Sequence, residues 1–349
     1  MCLYLSLMEK YDVIIAGASF AGLSVASQLR GKILLVDRHD IGSFQISACG
    51  APLDVIKKIG CEDAILQISN IFSFHVNGKR IDFYLEKPYC TFDFSKFCSI
   101  LNLKNHSDFL KAKVIGAKKE GNLFSLYTTK GKFSSDILVD ATGWQASITE
   151  TISPGYISRD MLSFGIETEV PYRCDSFHFY YEPDFLKDGI GWVFPCGDFS
   201  RIGIASYTGA RKLIGKLDSF LERFDLKRRK LHGGFFGYCI KEPVVNDIFV
   251  VGCAQGQTLP LTGEGIRGCI TYGRRCGEIL QRVMDGRINV EQGRKEYQRL
   301  ALEHERAYSV LLRLQNRLLR TSEKKIEIAA RVISIKWISR RIERWYLNI

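Results

Sequence analysis

Residues 11 to 37 read YDVIIAGASFAGLSVASQLRGKILLVD, and this stretch decides the fold. A short apolar run over 13–16 predicts a buried parallel strand. Residues 20–30 then place apolar side chains at helical spacing, and a second apolar run over 33–36 ends in Asp37. The order of strand, glycine turn, helix, strand and acid predicts a dinucleotide-binding unit.

Each part of this unit has a physical role. Gly17 allows a tight turn out of the strand, and Gly22 allows the helix to pack close to the sheet. The start of the helix offers free N–H groups to a pyrophosphate. Asp37 suits a free ribose 2′-hydroxyl and repels a 2′-phosphate, which favours FAD or NAD over NADP. Ser19 replaces the usual middle glycine, and its small side chain is tolerated. An ordinary βαβ unit with incidental glycines is the alternative.

Composition predicts a globular protein with a sizeable core. The chain has 349 residues, of which 46% are hydrophobic and 25% charged, and this length corresponds to roughly two domains. Its eleven cysteines form no CxxC pair, so we expect free thiols in the cytoplasm, without disulfides or a metal site. The first ten residues lack the basic region of a signal peptide, and no apolar run is long enough to span a membrane.

The positive charge is concentrated near the C-terminus. Residues 294–349 contain 14 Lys and Arg against 6 Asp and Glu, so they carry 8 (14 − 6) of the net +11. The pattern predicts two or three helices there, with an apolar stripe of Tyr308, Leu311, Leu312, Leu314 and Leu318. Either these helices cover the core, or their basic, Trp-bearing face contacts a membrane. Nucleic-acid binding is not expected, because the basic residues alternate with apolar positions and no recognition module is present.

The fold class predicted is α/β with α+β insertions: a Rossmann-like FAD-binding domain with a β-meander, an antiparallel-sheet substrate domain and C-terminal helices. The predicted parts are FAD-binding regions over 8–150 and 244–285, a substrate domain over 151–243 and a basic helical region over 286–349. Outside the first unit, the predicted strands are 71–76, 80–85, 113–118, 123–128, 131–133, 136–139, 161–169, 176–181, 191–194, 201–207 and 248–252. The predicted helices are 53–59, 94–103 with Asp93 as its N-cap, 213–224 and one reaching about residue 284.

Four separated segments resemble one family. They are GASFAG (17–22) with its acid, ACG (48–50), DATG (140–143) and PLTGEGI (260–266). Together they resemble the p-hydroxybenzoate-hydroxylase-type flavoproteins, and among these the geranylgeranyl reductase family of archaeal lipid and chlorophyll biosynthesis is the most similar. The resemblance implies an FAD site made of Gly17, Ala18, Ser19, Ala21, Gly22, Asp37, Arg38, Ala48, Cys49, Gly50, Ala51, Val114, Ala141, Thr142, Gly143, Gly252, Cys253, Gly263, Gly265 and Ile266.

The resemblance extends to the substrate side. The family has a Y-x-W-x-F-P run, and its counterpart here implies that Trp192, Phe194 and Pro195 bind substrate, with Ile190 in place of the tyrosine. Two departures stand out. Cys253 replaces an aspartate that holds the ribityl chain of FAD, and the usual arginine near Asp93 is missing. Both departures predict either weaker flavin binding or a divergent subfamily.

The family implies an FAD-dependent reductase that acts on C=C bonds of geranylgeranyl or other isoprenoid chains of archaeal-type membrane lipids. Cys49 is the candidate proton donor, although a packing role is the alternative. The helix that opens at Gly263 would stabilise anionic reduced flavin. An external electron donor, NAD(P)H or ferredoxin-like, is implied, with peripheral contact at the inner face of the membrane. The alternatives are an FAD-dependent monooxygenase or halogenase, and a degenerate flavoprotein that serves as a lipid-binding module.

Overall fold

The computed structural model describes residues 9–183 and 186–349. Residues 1–8 lie outside the described part, and with them most of the segment for which no signal peptide is expected and the first residue of the predicted FAD-binding region. The chain folds around two large β-sheets, as the α/β prediction requires. Helices lie between and beside these sheets.

The first sheet carries the glycine motifs. Its strands are β1 (Lys10–Ala16), β2 (Ile33–Asp37), β6 (Asp108–Lys111), β7 (Val114–Glu120), β8 (Leu123–Thr128), β9 (Gly131–Asp140), β15 (Val244–Val245) and β16 (Ile248–Val250). Strands β16, β9, β1, β2 and β6 are parallel neighbours in that order, and β7 and β8 form an antiparallel meander on β9. Strand β9 is continuous where the sequence predicted two strands.

Two helices pack closely on this sheet. Helix α1 (Phe20–Ala26) is shorter than predicted, and α6 (Ile266–Met284) ends as predicted. They touch backbone to backbone, because a Cβ at Gly273 would lie 2.8 Å from the Ala21 carbonyl oxygen and one at Gly277 2.5 Å from that of Val25. Two glycines four residues apart therefore set the distance between the helices.

The second sheet also has eight strands. They are β3 (Gly50–Pro52), β4 (Ile65–Val76), β5 (Lys79–Phe92), β10 (Leu162–Val170), β11 (Phe177–Tyr181), β12 (Gly189–Pro195), β13 (Ser200–Ser206) and β14 (Leu231–Gly237). Their order is β14-β10-β13-β12-β11-β4-β5-β3. The predicted hairpin at Asn77-Gly78 is confirmed, but the structure adds it to the sheet that the sequence placed after residue 150. The division into domains stays a prediction.

Shorter helices fill the remaining space. They are α2 (Leu53–Lys58), α3 (Phe94–Leu103), α4 (Thr149–Ile152) and α5 (Ile214–Glu222). Asp93 caps α3, since its carboxylate accepts the N–H of Lys96 at 2.7 Å. Helix α5 covers one face of the second sheet, where Leu217, Phe220 and Leu221 are fully buried.

In the described part of the chain, the C-terminal region contains four helices, where the sequence predicted two or three. They are α7 (Val290–Ala301), α8 (Glu305–Leu318), α9 (Glu323–Ile333) and α10 (Lys336–Leu347). The predicted stripe on α8 is partly wrong: Tyr308 and Leu311 are buried, but Leu314 is exposed and Gln315 takes its place. Among the described residues, none of the helices is long and apolar enough to cross a lipid bilayer.

Candidate functional site

The first glycine loop follows β1 and is held from two sides. Gly17 has φ +104°, and a Cβ there would lie 2.1 Å from the Ala141 carbonyl oxygen. A Cβ at Gly22 would lie 1.7 Å from the Gly17 carbonyl oxygen, so neither position has room for a side chain. The carboxylate of Asp37 accepts the N–H of Ala18 at 2.8 Å. Asp37 therefore positions the loop itself, in addition to any contact with a ribose.

The neighbouring predicted residues lie around this loop. Ser19 is the N-cap of α1, but its hydroxyl makes no capping hydrogen bond. Ala21 is buried in the core and Arg38 is exposed beside Asp37. Val114 begins β7 two residues after Ala112, whose N–H donates to the Asp37 carbonyl oxygen. The second strand of the unit thus brings Arg38 and Val114 to the same end of the sheet as the glycine loop.

The segment after β9 forms the second loop. Asp140 is fully buried, and its carboxylate accepts the N–H and hydroxyl of Thr142 together with the N–H and hydroxyl of Thr149. Gly143 has φ +77°, and a Cβ there would meet no atom within 4 Å. Sequence reasoning did not select Asp140 as a structural anchor, although an acid directly after an apolar strand is a usable signal.

The third loop follows β16. Gly252 has φ +73°, and a Cβ there would lie 2.7 Å from Cβ of Ala21, so this loop touches α1. The Cys253 thiol sulfur accepts the N–H of Gly237 at 3.3 Å, and burial raises the pKa of the thiol. A neutral sulfur thus stands where the resemblance implies a carboxylate.

The fourth loop leads into α6. Gly263 has φ +67°, and a Cβ there would lie 3.8 Å from the ring of Phe236. Gly265 is the N-cap of α6, and Ile266 is its buried first residue. The loop is fixed by Gln315, whose side-chain oxygen accepts the N–H of Leu261 at 2.7 Å. Sequence reasoning missed Gln315, because its contact is with a loop distant in the chain.

The ACG loop lies on the second sheet. Cys49 is buried with φ +52°, and its thiol donates to the Ser47 carbonyl oxygen at 3.3 Å. Burial raises the pKa of the Cys49 thiol well above its usual value, so the thiol is neutral near pH 7. A Cβ at Gly50 would lie 3.1 Å from the ring of Phe194, and Ala51 is buried in β3.

Arg201 supports the ACG loop from below and was missed by the sequence analysis. Its guanidinium donates to the carbonyl oxygens of Ala48 at 3.2 Å and Phe92 at 3.0 Å, and it pairs with Glu169 at 3.0 Å. A buried cation that holds two backbone carbonyls fixes the position of the loop. The family arginine expected near Asp93 is absent from the sequence, and Arg201 instead holds the backbone at Phe92.

The sheet face beneath this loop is aromatic and is named the groove face here. Trp192 and Phe194 lie on it with their ring centroids 6.3 Å apart, and Phe194 contacts Phe177 and Phe179. Pro195 is buried at the end of the strand, and its carbonyl oxygen accepts the Thr91 hydroxyl at 2.5 Å. The face is bounded by the ACG loop on one side and, through Phe236, by the Gly263 loop on the other.

These residues fit a flavin dinucleotide. The second loop lies against Gly17 of the first loop, the third loop touches α1, and the ACG and Gly263 loops border the groove face. Gly143 and Gly263 both have left-handed backbones, and a Cβ would meet no atom within 4 Å at Gly143 and only the Phe236 ring at Gly263, which suits a ligand that approaches the backbone closely. The predicted residues are therefore brought together, except that Cys49 and Cys253 both direct their thiols into the protein.

No family model matches the chain. It is 27% identical over 330 residues to the digeranylgeranylglycerophospholipid reductase of Methanococcus vannielii, which covers 84% of this chain and 82% of the relative. The reductase of the same name from Methanocaldococcus jannaschii is 24% identical, with the same coverage.

Among solved structures, a geranylgeranyl bacteriochlorophyll reductase-like protein from Thermoplasma acidophilum has a TM-score of 0.83 and 19% identity, covering 94% of this chain and 92% of that one. The FAD-dependent chondrochloren halogenase of a myxobacterium has a TM-score of 0.68 and 16% identity, covering 87% of this chain and 82% of that one. The chain is therefore similar over most of its length to digeranylgeranylglycerophospholipid reductases, and it shares its fold with a geranylgeranyl bacteriochlorophyll reductase-like protein and with an FAD-dependent halogenase.

Proposed function

We propose that this protein is an FAD-dependent reductase of the C=C bonds in geranylgeranyl chains of membrane lipids. The observation that carries the proposal is the groove face, where aromatic side chains lie between two loops that suit a flavin. An isoprenoid chain is apolar and flexible, and a wall of rigid aromatic rings suits it. The relatives named as digeranylgeranylglycerophospholipid reductases support the same substrate class.

The residues of the chain would bind and orient the substrate. Bound FAD, once reduced, would supply the hydride. Trp192 and Phe194 exclude water from the groove face, and Gly50 leaves space for the Phe194 ring. An isolated alkene has no polar handle, so a proton must be delivered as hydride adds. Cys49 carries a neutral thiol, but it is turned towards Ser47 and has no exposed surface.

The experiment uses the purified full chain loaded with FAD. The flavin is reduced chemically without oxygen, so that the natural donor, NAD(P)H or ferredoxin-like, is not needed. A geranylgeranyl ether phospholipid is then added in detergent, and products are measured by mass spectrometry. We expect a gain of two hydrogens for each reduced bond together with oxidation of the flavin. Intact lipid beside fully reduced flavin would contradict the proposal.

A monooxygenase or halogenase is the second candidate, and the halogenase fold neighbour motivates it. Such an enzyme would consume oxygen when given NADPH and substrate. The same preparation in an oxygen electrode therefore separates the two. Lipid-stimulated oxygen uptake with an oxygenated or halogenated product would favour the second candidate.

We also propose that the protein contacts an anionic membrane surface through helix α10. The helix faces the protein with Ser339 and Glu343 and faces outward with Trp337 (68% exposed) and Trp345 (42%). This polarity is the reverse of that of a solvated surface helix. Within the described part of the chain, Lys336 and Arg341 on α10 have no carboxylate partner. Exposed tryptophans beside free cations suit the interface of an anionic lipid bilayer.

A further inference from the structure

The groove face contains a buried acid–base pair, in addition to the candidate proton donor Cys49. Glu167 on β10 and His232 on β14 are directly paired in register, and Glu167 Oε1 lies 2.5 Å from His232 Nε2. The Glu167 side chain is 3% exposed and that of His232 is 16% exposed. The pair thus joins an enclosed carboxylate to an imidazole that reaches the open side of the face.

The pair is tied to the aromatic wall through Trp192. Glu167 Oε2 accepts the indole N–H of Trp192 at 2.8 Å, across strand β13. This contact requires Gly203 between them, since a Cβ there would lie 2.3 Å from the indole ring. Both carboxylate oxygens of Glu167 are therefore engaged, one by the wall and one by the imidazole.

His232 borders a strip of the groove face that lacks large side chains. The next row of the sheet is Gly234, Gly165 and Ala205, and a Cβ at Gly234 would meet nothing within 4 Å. This strip lies between the Trp192 row and the Phe236 row, and Phe236 contacts the Gly263 loop. It offers a flat floor between the two loops that suit a flavin.

The imidazole has one nitrogen free for chemistry. Its Nε2 faces Glu167 and the side-chain nitrogen of Gln45 at 3.1 Å, and in the described part of the chain no residue hydrogen-bonds its Nδ1. The Glu167 carboxylate can accept an Nε2 proton of the imidazole, so it orients the ring and leaves Nδ1 for a substrate. Gln45 belongs to the segment that leads into the ACG loop, which places the pair beside that loop.

We propose that His232, positioned by Glu167, donates the proton in the C=C reduction. This inference rests on the proposed function and names His232 as the donor where the sequence analysis had only Cys49. One alkene carbon receives the hydride from the reduced flavin, and the other receives the Nδ1 proton of the imidazolium. The π bond is replaced by two C–H bonds, the flavin is oxidised, and the neutral imidazole regains its proton from water. Glu167 acts as a positioning residue.

The test compares His232→Gln and Glu167→Gln with wild type in the anaerobic reduction of geranylgeranyl lipid, followed by flavin oxidation. We expect His232→Gln to slow the step by about 10²–10⁴-fold, the usual contribution of general acid catalysis. The wild-type rate should fall as pH rises and show a solvent isotope effect, and both should vanish in the variant. Glu167→Gln should give a smaller loss. In both variants, FAD affinity and melting temperature should equal those of the wild type. His75→Gln, on the opposite face of the sheet, is the matched control and should not slow the reduction.

A second readout does not depend on activity. The difference in fluorescence between wild type and Trp192→Phe isolates Trp192, and it should change with pH in the wild-type background but not in His232→Gln. If His232→Gln retained the wild-type rate and pH profile, His232 would not be the proton donor. The same conclusion would follow if the Trp192 fluorescence changed with pH equally in wild type and in His232→Gln. A wild-type protein that reduces no lipid would instead overturn the proposed function, and this assignment with it.

Discussion

At the scale of single residues, Asp140 and Cys253 differ in the hydrogen bonds that their side chains make. Asp140 satisfies five donors with one carboxylate, while Cys253 offers a sulfur where a second carboxylate would serve a flavin. Lys241 lies near this thiol and its own pKa is lowered by burial. The surroundings of the Cys253 thiol thus include a buried cation.

Cys253→Asp should tighten FAD binding. A hydrogen bond from a ribityl hydroxyl to a carboxylate contributes about 1.5–3 kcal/mol, which corresponds to a gain of roughly ten-fold to a hundred-fold in affinity. Quenching of flavin fluorescence during titration of the apoprotein measures it. Cys253→Ser is the matched control and should change the affinity much less. Equal affinities for Asp and Ser would show that position 253 does not face the cofactor.

At the scale of elements, the contact between α1 and α6 depends on glycines where helix propensity would favour alanine. Gly277→Ala should destabilise the fold, because the added Cβ would lie 2.5 Å from the Val25 carbonyl oxygen. Overpacking of this kind costs about 1–3 kcal/mol, measured as a shift in urea unfolding.

Gly215→Ala on α5 is the control for that substitution. No atom lies within 4 Å of the new Cβ, so the higher helix propensity of alanine should stabilise the protein by about 0.5–1 kcal/mol. If both substitutions change stability in the same direction, the close helix contact does not govern the packing.

The second sheet contains a histidine pair that predicts loss of stability in acid. His75 Nε2 lies 2.9 Å from His178 Nδ1, and burial lowers the pKa of each to about 4. The unfolded pKa is about 6.5, so the folded state binds fewer protons. The stabilisation is complete above pH 6.5 and is lost as pH falls towards 4.

Melting temperatures measured across this range should fall steeply for the wild type. The double variant His75→Gln/His178→Gln should flatten the decline, and His106→Gln, at an exposed position, should leave it unchanged. A double variant that declines as steeply as the wild type would place the acid sensitivity elsewhere.

At the scale of the whole molecule, the C-terminal helix joins parts of the fold that are far apart in the chain. Glu343 accepts the N–H groups of Glu86 and Lys87 on β5, and Arg267 at the start of α6 donates to the carbonyl oxygens of Tyr346 and Leu347. The inward face of α10 is therefore polar because it docks on backbone and charge. The outward face keeps the tryptophans and isoleucines.

Trp337→Ser/Trp345→Ser should weaken binding to vesicles that contain anionic phospholipid, since both indoles lie on the outward face. Co-sedimentation with anionic and with neutral vesicles measures this, and added salt should weaken binding to the anionic vesicles only. Leu103→Ser, also at a highly exposed apolar position, is the control. Unchanged binding by the double variant would remove α10 as the membrane surface.

The sequence determined the parallel sheet, the positions of the glycine loops, the meander, the hairpin at Asn77-Gly78 and the capped helix after Asp93. Each depends on local rules of apolar periodicity, left-handed glycine and side-chain capping, which act over a few residues. The same rules failed for β14, because its run of glycines and paired phenylalanines resembles a loop when read alone.

Only the tertiary structure decided how the distant parts meet. It placed strands β3, β4 and β5 in the second sheet, Arg201 beneath the ACG loop, Gln315 against the Gly263 loop and Glu167 beside His232. These contacts join segments 54 to 153 residues apart, and no short pattern encodes them. Burial of a charge or an amide is stable only where a partner arrives from elsewhere in the chain, so the partner is known only once the sheets have formed.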